Sequence, residues 1–102
     1  MNDNPLQRRL TREETLAVIR EHHVFPGNYR MTVIAKSTSS FHARLHLLLE
    51  ELQGEGSFHI EEIPSSKQTY SSFRITIFVE SAETALWRRE RIGGVDGVLM
   101  LL

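Results

Sequence analysis

The chain contains no cysteine, so it forms neither disulfides nor thiolate nucleophiles, and the commoner zinc clusters go with them. No apolar run reaches the roughly 18 residues of a membrane span, and the opening MNDNPLQRRL lacks the apolar stretch of a secretory signal. An excess of one charge is missing as well. Twelve Lys and Arg stand against 13 Asp and Glu, which removes the global basic footprint that phosphate-backbone binders use. The six glycines never gather into a phosphate-cradling loop. These absences point to a cytoplasmic protein with no membrane or nucleic-acid partner and no cofactor, and no motif argues for an enzyme.

What is present fits one small layered core. At 102 residues the chain is too short for a deep enclosed cleft, so a site belongs in a groove, on a face or at a subunit interface. Residues 1–10 are polar and read as loose. Thr11 and Glu14 then form a capping box that opens a helix over about 12–22, with Leu16 and Ile19 in a thin apolar stripe. Such a helix packs on something without being a core helix. From Tyr29 to Lys36 the apolar period becomes two, the mark of a strand. Helical spacing follows in Phe41, Leu45, Leu48, Leu49 and Leu52, until Gly54 and Gly56 end it. Phe58 to Glu61 read as a short strand closed by Pro64, and Tyr70 to Glu80 as a long central one rich in β-branched residues. Ser81 caps a last helix over about 82–92, and Val98 to Leu102 finish as a strand. Leaving aside the first helix, the order is βαββαβ. That order predicts an α+β ferredoxin-like fold, a four-stranded antiparallel sheet with two helices on one face. Residues 1–24 are then an N-terminal extension, and residues 25–102 are the domain.

Three stretches carry a resemblance: FPGNYRMTVIA at 25–35, SSKQTYSSFRITIFVES at 65–81, and the ending GVDGVLMLL. Phe25-Pro26 ahead of strand one, the serine-rich turn leading to Tyr70-Ser71-Ser72, and the closing Val95-Asp-Gly-Val98-Leu99 resemble the YbeD-like family of small bacterial proteins. The resemblance covers 25–102. Many of those proteins carry glycine where this chain has Gln68. It implies a ferredoxin-like fold similar to ACT regulatory domains, and it brings no assigned activity.

Three sets of residues are candidates for function. Ser65, Ser66, Lys67 and Ser71 make either a hairpin turn or an anion cradle, with the lysine as point charge and the hydroxyls as donors. His42, His46 and Glu50 recur every fourth residue, so neighbours can share a metal ion, but eight residues of helix rise about 12 Å and the trio cannot close on one. A solvated helix face opposite the leucines is the plainer reading. RNA-recognition modules share this topology, but they need strand-three aromatics two residues apart, and Tyr70 and Phe73 fall on opposite faces. The third set is Ile34, Phe78 and Met100, apolar residues that point away from the helices and form a candidate interface. Its cover is either the N-terminal helix or a second copy of the chain. The expectation is therefore a non-catalytic regulatory or adaptor domain that binds a protein partner or small metabolite and forms a homodimer. Its rival is a small metal-binding protein or enzyme built on His42, His46 and Glu50.

Overall fold

In the computed structural model, residues 10–102 are described. The stretch read as loose lies, Leu10 excepted, outside the described residues. Seven elements follow: α1 (Arg12–His22), β1 (Gly27–Lys36), α2 (Ser39–Gln53), β2 (Phe58–Pro64), β3 (Tyr70–Val79), α3 (Ala82–Gly93) and β4 (Val98–Leu101). Each helix starts at a side chain that satisfies an opening backbone donor. The Thr11 hydroxyl accepts from the Glu14 amide while the Glu14 carboxylate accepts from the Thr11 amide, closing the predicted capping box. Thr38 caps α2 through the Phe41 amide, and Ser81 caps α3 through the Thr84 amide.

All strand pairings are antiparallel, in the order β2-β3-β1-β4, which is the ferredoxin-like arrangement. β1 and β3 pair along ten residues, from Gly27 opposite Val79 to Lys36 opposite Tyr70. Leu102 extends β4 by one more pair, exchanging both backbone hydrogen bonds with Thr32 at 2.8 and 3.1 Å.

Period two puts every odd residue of β1 and β3 on the helix side. Tyr29, Met31, Val33 and Ala35 meet Phe73, Ile75, Ile77 and Val79 there, against Phe41, Leu45 and Leu49 of α2 and Ala82, Ala85, Leu86 and Ile92 of α3. Each large side chain so buried contributes about 1.5–3 kcal/mol relative to exposure, so this layer holds the domain together.

Of the two covers considered for the open face, the structure removes one. α1 does not cover the far side of the sheet. It packs beside α3 in the helical layer, where Leu16 and Ile19 join the core. Arg12 pairs with Glu90 at 3.4 Å, and Arg20 pairs with Glu83. Both ends of α1 are thus held to α3 by complementary charge, although such half-exposed pairs add little beyond direction. All three helices lie on one face, and among the described residues the other face has no cover.

Candidate functional site

That open face is built from the even residues of β1 and β3, with their partners on β2 and β4. The register arranges them in rows across the sheet. Ile63, Ser72, Ile34 and Met100 form one row. Glu61, Arg74, Thr32 and Leu102 form the next, and His59, Thr76 and Arg30 the one after. Tyr70 and Lys36 lie beyond the first row, and Phe78 and Asn28 beyond the last.

Two halves differ in character. One end gathers Ile63, Ile34, Met100, Leu102 and Tyr70; Met100 is 52% and Leu102 60% exposed, far more than apolar side chains in a packed sheet. The other end is polar and cationic, apart from Phe78. The register brings Ile34 and Met100 directly opposite each other and keeps Phe78 six residues away along the sheet, about 20 Å at 3.3 Å per residue. Facing was legible from alternation. Distance was not, because pairing alone sets it.

The serine-rich segment is a closed hairpin. The Ser65 amide donates to the Tyr70 carbonyl at 2.8 Å, the Tyr70 amide donates to the Ser65 hydroxyl at 3.2 Å, and the Gln68 amide donates to the Ser65 carbonyl at 2.9 Å. Ser65 therefore spends its groups on the turn itself. Ser71 does not join Ser66 and Lys67. It points to the helix side, is buried, and donates to Glu62 Oε2 at 2.6 Å, with Ser37 Oγ 3.1 Å away. Its hydroxyl is committed to a carboxylate, which repels rather than attracts an anion. Sequence reading missed this Ser37–Ser71–Glu62 network. Its signal was present, since Ser71 and Glu62 are polar residues at positions where period two calls for apolar ones.

Gln68 adopts φ 57°, in the left-handed region that glycine occupies freely. This gives a backbone reason for glycine at that place in the proteins the sequence resembles. A non-glycine residue there costs about 1–2 kcal/mol, partly offset by the greater unfolded-state entropy of glycine. Gln68→Gly should raise stability by about 0.5–1 kcal/mol. The check is a higher urea midpoint at unchanged slope; a lower midpoint would mean the glutamine side chain holds the turn.

His42 and His46 are exposed on α2, yet they sit at the rim of the core and not opposite it. His42 approaches Phe73 at 5.9 Å between ring centroids, and His46 meets Phe58 edge-on at 5.3 Å. His46 Nε2 lies 3.8 Å from Glu50, and the two imidazoles are 5.9 Å apart. Among the described residues no three His, Asp or Glu side chains converge on a point an ion could occupy. The packing against Phe58 and Phe73 accounts for the histidines.

No described helix is long and apolar enough to cross a membrane. No curated protein matches the chain. Among solved structures it is similar to the solution structure of HP0495 from Helicobacter pylori, at 22% identity over 78% of this chain and 85% of that one, with a TM-score of 0.66. The ACT domain from the GTP pyrophosphokinase of Chlorobium tepidum is similar at 10% identity, covering 74% of this chain and 94% of that one, TM-score 0.55. The C-terminal domain of the Mycobacterium tuberculosis MgtC protein matches at 10% identity, 74% and 82% coverage, TM-score 0.55. These likenesses establish the ferredoxin-like, ACT-like fold. Residues 20–102 match the family described as protein of unknown function (DUF493), and the chain belongs to that family.

Proposed function

We propose that the protein is a non-catalytic regulatory or adaptor domain of the YbeD-like kind, whose working surface is the open sheet face and whose first partner is a second copy of itself. The observation that carries this is the apolar end of that face, where Ile34 and Met100 stand side by side, Ile63 follows across Ser72, and Leu102 lies next to Met100, all without cover among the described residues. With α1 docked on α3, the chain's described residues offer no lid of their own. A two-fold copy supplies one, because an isologous contact sets the same apolar row against itself. The ACT-like architecture supports a regulatory role by analogy of fold, which is a weaker ground than the face.

With strands of ten, seven, ten and four residues, each residue covering about 3.3 by 4.8 Å, the whole face spans roughly 500 Å², below the 800 Å² or so that each partner of a standard interface contributes. Association should accordingly be reversible and concentration-dependent. In sedimentation velocity the parent protein should shift from monomer toward dimer as its concentration rises through the micromolar range. Met100→Glu places an unpaired carboxylate in the contact twice, once per copy, and should weaken association by about 100-fold. A parent that stays monomeric at all concentrations would overturn self-association.

A further inference from the structure

We propose that the cationic half of the open face is a binding site for a small phosphate-bearing metabolite, held between Arg30 and Arg74. The inference rests on reading this face as the working surface, but both arginines lie outside the Ile63–Met100 row of the dimer contact, which meets the site only where Leu102 ends the row of Arg74 and Thr32. A groove of about 290 Å³ runs over β2, β3 and β1; besides Met31 and Ile75, whose side chains are buried on the helix side, its lining is Arg30, Thr32, His59, Glu61, Arg74 and Thr76. All six belong to even rows of β1 and β3 or their β2 partners, so their side chains share one face. Arg30 stands opposite Thr76, and Arg74 opposite Thr32, which sets the two arginines diagonally on adjacent strands, about 7–8 Å apart at the backbone.

Arg30 has no carboxylate partner among the described residues. A guanidinium without a carboxylate, with Thr76 opposite it and Thr32 two residues along the same face, is equipped for an anion. Arg74 faces Glu61 at 3.8 Å, but both side chains are more than half exposed, so the pair is weak and the guanidinium remains available. Two guanidiniums present forked N–H donors that match phosphate oxygens in bidentate fashion, and the Thr32 and Thr76 hydroxyls and the His59 ring add further donors. The groove is small and flanked by no row of stacking aromatics, which fits a compact phosphate ester and not a nucleic-acid strand.

The test is an amide chemical-shift titration of the full chain with inorganic phosphate, at constant ionic strength against chloride. Saturable shifts should appear at residues 30, 32, 59, 74 and 76, with a millimolar dissociation constant. Arg30→Gln, an exposed change that leaves the spectrum of the core intact, should weaken binding about tenfold, whereas Arg12→Gln, on α1, should not change it. Absence of saturable shifts, or an Arg30→Gln protein that binds phosphate as the parent does, would overturn the proposal. So would tighter binding of a single-stranded oligonucleotide with shifts spread over the whole sheet. A protein that binds phosphate while remaining monomeric would sink self-association and leave this site standing.

Discussion

Phe41→Ala should remove about 3–5 kcal/mol of stability and lower the thermal midpoint by about 15–30 °C. Phe41 is 1% exposed and sits in the first turn of α2, where the Thr38 cap fixes the direction of the helix. Its ring meets Phe73 of β3 at 5.2 Å between centroids, tilted by 55°, a geometry aromatic pairs favour. Gly97, just ahead of β4, lies against its Cδ1–Cε1 edge. One side chain thus joins α2, the central strand and the approach to β4, and none of these can collapse far into the space it leaves. Domains of this size have about 5–15 kcal/mol in all, so the variant should be folded at low temperature and largely unfolded near the parent's midpoint. Circular dichroism melts with urea titrations at fixed slope read the effect. A loss below about 1 kcal/mol would mean the site relaxes as a surface does, contrary to its burial.

The fold was legible because its elements obey simple periods. Tyr29 to Lys36 and Tyr70 to Val79 alternate cleanly, α2 carries its leucines at helical spacing, and glycines or serines mark most of the ends. Order and connection length then leave few topologies. The docking of α1 was not legible, since Leu16 and Ile19 say that the helix packs but not on which layer; the surface they meet on α3, with Glu83 and Glu90 beside it, lies some seventy residues away. Similarly, alternation assigned Ile34 and Phe78 to one face but could not measure the gap between them. The Arg30–Arg74 groove escaped sequence reading for the same reason. Its members are scattered over 30 to 76, unremarkable singly, and only the β1–β3 register makes them neighbours.

Gly97→Ala should destabilise by about 2–4 kcal/mol, and its coupling to Phe41 separates the two causes. At φ 108° the Gly97 backbone lies where residues with a Cβ are strained, a cost of about 1–3 kcal/mol. An added Cβ would also sit 2.9 Å from Phe41 Cδ1 and 3.5 Å from the Arg44 guanidinium. The guanidinium can move, but the Phe41 ring is held by Phe73, so the clash is relieved only by shifting the chain at the start of β4. That strand positions Met100 and, just beyond it, Leu102, so the same shift should loosen the apolar end of the open face and weaken self-association along with stability. In a Phe41→Ala background the ring is gone and the clash with it, while the φ strain persists. The double variant should therefore be more stable than the sum of the single losses predicts, by about 1–2 kcal/mol. Losses that add within about 0.5 kcal/mol would show that backbone strain alone makes Gly97 necessary; sub-additivity would place Phe41 as the obstacle, and would tie the packing of the helical layer to the shape of the surface on its far side.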